Sequence, residues 1–375
     1  GPGTPPEVKT LEQYLAWARK DPKNLSYATS GAGTGIHFTG EYLAKAKEFA
    51  PNDPWVQQKI AEEQESENPE QAIAAREKQR AAMPSDPEKI EPAHIANLLR
   101  LAALYTATKP PQYEKADALY KEALEKVLKN ERLQSRTVPW LYATFLRERG
   151  DKPDPERGVQ VLKTYADAMK DKDAKAAVEL LIAQHMQAWA QLGLPKAPSL
   201  ADIDAAYDAA VRTSDSFEVL MGTGTWYRQS QRIARAEEFY RRAIQRAGTD
   251  AEARNREQVA RRYLIDTLVQ NRDLERREEV DALIADYLKR YPEDPSGFLF
   301  QGQHCILTGR EKEALDAYSR YIEKDPNGAL AYYRRGYLWG RQEKWDAAIS
   351  DLQKAKTLSP AGFDYEHRIL LANCL

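Results

Sequence analysis

The chain has little cysteine, no long apolar run and no excess of charge of either sign. Its 375 residues include only two cysteines, which excludes a disulfide framework and favours a reducing or cysteine-neutral compartment. No stretch approaches the roughly 20 apolar residues that a membrane-spanning helix needs. The 55 basic and 57 acidic residues are intermixed, so no field of the whole chain recruits nucleic acid or an anionic membrane surface.

Motifs for catalysis and for metal binding are also missing from the sequence. The five histidines are scattered, with no HExxH motif and no Cys/His cluster at metal-ligand spacing, so we expect neither a metal nor another cofactor. The one glycine-rich stretch, residues 30–35, lacks the lysine of a phosphate-binding loop, and no apolar strand precedes it. We interpret it as a flexible or capping connection. The sequence therefore predicts a protein that is not an enzyme.

A repeat of fixed length is the strongest pattern in the chain. Pro292, Pro326 and Pro360 stand 34 residues apart, and each closes a segment with the same order of small and aromatic residues. A period of this length is typical of stacked helical hairpins, in which a unit too small to bury its own apolar face leans on its neighbours. The last segment places its packing residues on two amphipathic helices: Tyr332, Gly336 and Trp339, then Ala348, Leu352 and Ala355.

The same positions are filled in the preceding segments. Small residues recur where the two helices of a hairpin would cross, because glycine or alanine lets the backbones approach and leaves room for an adjacent aromatic ring. Cys305 falls on such a packed face, so we expect it to be buried. The corresponding residues are Phe298, Gly302, Cys305, Ala314, Tyr318 and Tyr321; Leu264, Leu268, Asn271, Val280, Ile284 and Tyr287; and Leu220, Gly224, Tyr227, Ala236, Tyr240 and Ala243.

This pattern resembles that of the tetratricopeptide repeat family. The last segment matches the family pattern position by position through Pro360, except that Arg335 stands where the family prefers leucine. The resemblance implies an all-α fold, a right-handed superhelical solenoid of stacked antiparallel helix hairpins. It also implies a non-catalytic scaffold that binds other proteins.

The repeat pattern divides the chain into four parts. We interpret residues 1–10 as a cleavage scar and linker, and residues 11–54 as an irregular or capping hairpin with a glycine-rich connection. Residues 55–360 would form an array of about eight hairpins, and residues 361–375 the first helix of a further repeat. Extra residues after Gly248 predict lengthened helices or a longer turn. The chain would then be a fragment, with a cytoplasmic location favoured and a periplasmic one as the alternative.

The resemblance further implies that the first helix of each hairpin lines an inner, concave wall where a partner binds. Arginine can hold a carboxylate in bidentate fashion, and tyrosine offers flat apolar area at low entropic cost. We therefore expect a partner protein or peptide with some acidic character. The candidate partner-binding residues are Arg228, Arg262, Arg272, Gln303, Tyr333, Arg334, Tyr337 and Arg341, beside Thr225 and the apolar residues Met221, Ile265, Val269, Leu299, Ile306 and Leu330.

Three other functions remain open from the sequence. The array could be the regulatory or substrate-presenting arm of a larger enzyme, or a scaffold for secretion or polysaccharide export at a bacterial envelope. A composition rich in alanine, arginine and proline favours a bacterial source. The arginines between Arg228 and Arg277 raise the possibility of an RNA-binding helical repeat, against which the mixed charge counts. We expect no nucleic-acid partner.

Overall fold

The structure is a computed structural model that describes residues 68–359, and this part of the chain consists of α-helices and short 3₁₀ turns without a strand. The all-α prediction is confirmed. The chain divides into two compact units, Gly1–Tyr142 and Ala143–Leu375. The predicted N-terminal segments, the glycine-rich stretch, Pro360 and the predicted last helix lie outside the described residues, and the predicted domain bounds and superhelical hand stay predictions.

The described part of the first unit consists of three helices and the start of a fourth. Helix α1 packs against α2, and α2 against α3. The connection between α2 and α3 contains Pro110 and Pro111, which remove two backbone donors and end the run of helix. The helices are α1 (Pro69–Ala81), α2 (Pro92–Ala107), α3 (Tyr113–Lys129) and α4 (Thr137–Glu148), with 3₁₀ turns at Pro87–Lys89 and Glu131–Leu133.

The second unit continues as pairs of neighbouring helices. Five pairs, α6/α7, α8/α9, α10/α11, α12/α13 and α14/α15, form the hairpins of this unit. Helix α10 has 19 residues where α8 has 13, which is the lengthening predicted from the extra residues after Gly248. The helices are α5 (Pro155–Asp167), α6 (Lys172–Gln191), α7 (Leu200–Thr213), α8 (Phe217–Gln229), α9 (Ile233–Gln245), α10 (Ala253–Asn271), α11 (Arg277–Arg290), α12 (Ser296–Leu307), α13 (Glu311–Lys324), α14 (Ala329–Arg341) and α15 (Trp345–Leu358), with a 3₁₀ turn at Leu274–Arg276.

The first helices of successive hairpins lie side by side. Helix α6 contacts α8, α8 contacts α10, and α10 contacts α12. One continuous cluster of buried apolar residues extends from Ala176 on α6 to Phe300 on α12, so no hairpin in this stretch has a core of its own. We call the exposed side of α6, α8, α10, α12 and α14 the first-helix surface.

Two glycines set the distance between the helices of their hairpins. A Cβ atom added at Gly224 would lie 2.8 Å from Cε1 of Tyr240, and one added at Gly302 would lie 2.6 Å from Cε1 of Tyr318. Both rings are completely buried. The prediction that a small residue is needed beside each ring is confirmed at both crossings.

Arginines tie consecutive hairpins together. Each of three arginines precedes the second helix of its hairpin and bonds to a carboxylate on the second helix of the hairpin before it. A cation at a helix N-terminus is unfavourable to the helix dipole, and the carboxylate offsets that cost. We call these arginines the junction arginines. Their pairs are Arg232 with Asp204, Arg276 with Glu237 and Arg310 with Asp281, each with an N–O distance of 2.7 Å.

Candidate partner-binding surface

Most of the positive charge that the sequence concentrates between residues 228 and 277 is neutralised by neighbouring carboxylates. Besides the junction arginines, Arg241 lies 2.6 Å from Glu279, and Arg261 lies 2.9 Å from Asp286. Paired arginines of this kind leave little positive field for a polyanion. This part of the chain therefore looks like a set of packed hairpins and not like an RNA-binding face.

Arg228 bridges two first helices. Its Nη2 atom on α8 lies 2.6 Å from Oδ2 of Asp266 on α10, and its guanidinium lies 5.8 Å from the centre of the Tyr263 ring. The predicted partner-binding arginine at this position already has a carboxylate partner within the chain. Its charge is neutralised, although it remains on the first-helix surface.

Arg262 and Arg272 differ from Arg228. Both are exposed, and neither forms a hydrogen bond or an ion pair with the residues from 68 to 359. Arg272 follows the last residue of α10 in the left-handed backbone conformation, with φ of 56°. Burial raises the pKa of Tyr321 to about 12, and the charge of Arg262 partly opposes that rise, so the guanidinium lies near this phenol. These two arginines have guanidinium groups available for a partner.

The candidates on α14 form a second group. The guanidinium of Arg334 lies 5.8 Å from the centre of the Tyr333 ring, and its buried Nε has no hydrogen-bond partner in the described region. Tyr337 is 39% exposed, which leaves ring area for a contact. Arg341 is held by Glu311 at 2.9 Å. On the neighbouring first helix α12, Gln303 is half-buried and makes no side-chain hydrogen bond to the described residues.

Two of the apolar residues predicted to lie on the partner-binding surface are buried instead. Ile265 and Val269 are only 1% and 3% exposed, and both belong to the core of the second unit. Helix α10 packs against four helices, α8, α9, α11 and α12. These neighbours cover more of its circumference than the single row of residues that the repeat pattern assigns to packing. Of the remaining apolar candidates, Leu330 is exposed, and Met221, Leu299 and Ile306 are half-buried against the core.

A cavity of about 480 Å³ opens between α8 and α10, and we call it the α8–α10 cavity. Of the residues predicted to face inward, Arg228 and Thr225 line it. Asn271, the last residue of α10, was predicted to pack within its hairpin, and Gln231 lies in the connection after α8, outside the periodic pattern. Nothing in the repeat pattern indicates that either carboxamide lines a cavity. The other lining residues are Gln229, Ile233, Tyr263, Thr267 and Gln270.

The structure places Cys305 in the core. Cys305 is 1% exposed, and burial raises the pKa of its thiol to about 11, which confirms the prediction that it is a packed residue. Within residues 68–359, no group of three or more His, Cys, Asp or Glu side chains could hold a metal ion. Over the same range, no helix is long and apolar enough to span a bilayer.

The stacked hairpins define a helical-repeat protein. The model of the tetratricopeptide repeat family matches residues 273–329 and 313–363. Residues 273–363 therefore carry tetratricopeptide repeats, which are of the type that serves as a scaffold for protein–protein interaction.

One segment of the chain is similar in sequence to a curated protein. A segment of 67 residues is 37% identical to neutrophil cytosol factor 2 from Bos taurus and to the same protein from Mus musculus. It covers 17% of this chain and spans 13% of the length of each relative.

Two solved structures resemble the chain at low sequence identity. Yeast Tom70 is 17% identical over 97% of this chain and 76% of that structure, with a TM-score of 0.43. YrrB, described as a tetratricopeptide repeat protein with an unusual peptide-binding site, is 18% identical over 57% of this chain and 97% of that structure, with a TM-score of 0.37.

Proposed function

We propose that the chain is a non-catalytic scaffold whose first-helix surface binds a segment of a partner protein that carries acidic residues. One observation supports this proposal above the others. In a stretch whose arginines are otherwise mostly paired with carboxylates, Arg262 and Arg272 are exposed and have no ion-pair partner among the described residues.

The chemistry of these two side chains favours a carboxylate ligand. A guanidinium presents donors in a planar fork that fits both oxygens of a carboxylate, and it is weakly hydrated compared with an ammonium group. Arg262 lies in the middle of α10 and Arg272 is its C-cap, so one partner segment lying along the C-terminal half of α10 could contact both. The proposal therefore predicts at least two acidic residues in that segment.

Helix α14 would extend the contact area. Tyr333, Arg334 and Tyr337 combine aromatic rings with a guanidinium, the residue types that contribute most to interface energies. The Nε of Arg334 already lacks a partner, so this residue is not fully satisfied within the described part of its own chain. We assign α14 to the same partner-binding surface.

The experiment is selection of a displayed library of random peptides against the whole chain. We expect the enriched peptides to contain more Asp and Glu than the starting library. The chain with Arg262→Ala and Arg272→Ala should bind the selected peptides about tenfold more weakly, because it loses two charge-assisted contacts. Circular dichroism checks that the variant remains helical.

Arg320 provides the matched control. It is an exposed arginine on the second helix α13, paired with Asp316 on the same helix at 3.1 Å, so Arg320→Ala should bind as the unchanged chain does. Tyr333→Ala combined with Arg334→Glu should also weaken binding. Enrichment without acidic residues, or equal binding by the Arg262 and Arg272 double variant, contradicts the proposal.

Use of the same surface by an arm of a larger enzyme or by a bacterial envelope scaffold remains an alternative setting for this function.

A further inference from the structure

We propose that the α8–α10 cavity binds one uncharged, apolar residue of the partner segment and holds that residue by its main-chain amide. The inference rests on the proposed function, since it assumes that a peptide segment lies on the first-helix surface. It adds a specific subsite and a chemical requirement at one position of that segment.

The cavity has the size and position of a ligand site. Its volume of about 480 Å³ falls within the range of roughly 300 to 1,000 Å³ that is common for small-ligand cavities. It is formed where the C-terminal ends of α8 and α10 meet the start of α9, so residues of two hairpins contribute to it.

The charge of the lining argues against a carboxylate in the cavity. Arg228 is its one charged lining residue, and its Nη2 atom is bound to Asp266 at 2.6 Å. A carboxylate that approached this guanidinium would also approach Asp266, and like charges at short distance repel. An uncharged group enters without that cost.

The carboxamides of the lining provide a match for a peptide bond. A carboxamide carries both an N–H donor and a C=O acceptor, so it can bond to the C=O and the N–H of a ligand main chain. Gln231 and Asn271 form no side-chain hydrogen bond with the described residues and are available. The other two carboxamides are engaged, because Gln229 accepts from Gln187 at 3.0 Å and Gln270 donates to Asp266 at 2.9 Å.

The threonine hydroxyls of the lining do not compete for the ligand's acceptors. Thr225 donates to the carbonyl oxygen of Met221 at 2.8 Å, and Thr267 donates to that of Tyr263 at 2.6 Å. Both threonine hydrogens are therefore committed to the helix backbone. This leaves the carboxamides of Gln231 and Asn271 and the phenol of Tyr263 as lining groups that can donate and accept at once.

The ring of Tyr263 and the side chain of Ile233 form the apolar part of the lining. Tyr263 is 38% exposed, and the two side chains offer area on which an aliphatic side chain of the ligand can pack. Arg272 directly follows Asn271, whereas the guanidinium of Arg262 lies near Tyr321 of α13. We place acidic residues on both sides of the apolar one because the proposed function requires acidic residues in the same segment.

The test uses the intact chain with ¹³C-labelled isoleucine methyl groups, because Ile233 lies in the cavity wall. The probes are acetyl-Asp-Leu-Asp-amide, the same tripeptide with glutamate in the centre, and an analogue in which an ester replaces the amide N–H of leucine. We expect the leucine peptide to shift the Ile233 methyl signal at concentrations up to about 10 mM. The ester and the glutamate peptide should each bind about fivefold more weakly, as loss of one hydrogen bond or addition of one unfavourable charge predicts.

Variants localise the contact. The Asn271→Ala variant should bind the leucine peptide about fivefold more weakly and should bind the ester as well as the amide. The Asn271→Gln variant should retain part of the binding. Gln245→Ala is the matched control, since Gln245 is an exposed carboxamide at the end of α9 outside the cavity lining.

The outcomes separate this inference from the proposed function. An Ile233 methyl signal that stays unchanged with the leucine peptide overturns the cavity assignment, and so does equal binding of the ester or the glutamate peptide. If acidic library peptides still depend on Arg262 and Arg272, the proposed function stands without the cavity. If the library yields no acidic enrichment while the methyl signal shifts, the cavity binds a peptide but the acidic partner is wrong.

Discussion

Arg335 of α14 and Asp351 of α15 form a bidentate ion pair inside the α14/α15 hairpin. Nε of Arg335 lies 2.7 Å from Oδ2 of Asp351, and Nη2 lies 2.9 Å from Oδ1. Nη1 donates a further bond to Oγ of Ser319 at 3.0 Å. The arginine stands where the tetratricopeptide pattern prefers leucine, and Asp351, only 6% exposed, supplies the carboxylate that compensates the change. The hydrogen bonds from this pair raise the pKa of Arg335.

Arg335→Leu, which restores the family residue, should destabilise the protein by about 3 kcal/mol, because it leaves a buried carboxylate without a partner. Arg335→Leu combined with Asp351→Ala should recover most of this loss. Urea unfolding of the two variants and of Asp351→Ala gives the coupling energy. A single Arg335→Leu variant as stable as the unchanged protein would show that the pair does not compensate the substitution.

Gly302→Ala should destabilise the protein by about 1–3 kcal/mol, because the added Cβ would lie 2.6 Å from the Tyr318 ring. Helix propensity alone predicts the opposite sign, a gain of up to about 1 kcal/mol. In a chain that also carries Tyr318→Leu, Gly302→Ala should lower the free energy of unfolding only slightly, because the ring that the Cβ would meet is gone. Thermal unfolding of the four chains of this cycle measures the difference, and an equal cost of Gly302→Ala in both backgrounds contradicts the steric explanation.

Two equivalent turn positions should respond to glycine in opposite directions. Gly309 and Glu343 both adopt the left-handed backbone, with φ of 76° and 58°, two residues before a second helix begins. Gly309→Ala should lower the free energy of unfolding by about 1 kcal/mol, because a Cβ atom is disfavoured in this conformation. For the same reason, Glu343→Gly should raise the free energy of unfolding by up to about 1 kcal/mol. Denaturant midpoints of the two variants test both signs. Loss of stability in both would mean that the turn backbone is not strained at Glu343.

His185 should make stability depend on pH below about 6.5. Burial lowers the pKa of its imidazole from 6.5 to about 4; Nε2 lies 3.0 Å from the Pro155 carbonyl oxygen, and Nδ1 lies 3.1 Å from Nη1 of Arg147. The charge of Arg147 also lowers this pKa, while Glu148 and the Pro155 carbonyl oppose the fall. Between pH 6.5 and 4 the unfolded chain binds the proton and the folded chain does not.

The contribution of His185 is therefore complete above pH 6.5 and decreases as the pH falls towards 4, by up to about 3 kcal/mol. His185→Gln should show a flatter dependence of the urea midpoint over this range, even if the variant is less stable throughout. His304, whose pKa burial also lowers, is present in both chains and does not affect the comparison. Parallel pH curves for the two chains would contradict the assignment to His185.

The hairpins could be predicted from sequence because one period fixes both helices and the connection between them. The polar residues Gln342, Glu343 and Lys344 lie between the two sets of packing residues of their segment, and they form the connection, because α14 ends at Arg341 and α15 begins at Trp345. The crossings at Gly224 and Gly302 follow from the same reasoning, since a small residue recurs at one place in the period. Local spacing is sufficient for features that lie within one unit.

Contacts between hairpins were beyond this reasoning. Asp266 is 38 residues from Arg228, and nothing in the spacing indicates that the two side chains meet across α8 and α10. For the same reason the sequence predicted Arg228 as a free partner contact and placed Ile265 on the surface. Which faces of neighbouring helices meet depends on how far each unit is rotated against the last, and small changes in helix length alter that rotation.

The junction arginines repeat one charge pattern along the middle hairpins. The second helices α7, α9 and α11 each carry an acid, and an arginine precedes the second helix of each following hairpin. A chain lacking α10, α11 and their connections would bring Glu237 opposite Arg310 and so re-form a seam of opposite charge, while Arg228 would lose Asp266. The helical signal of such a shortened chain would reveal whether the seam alone suffices to join the remaining modules.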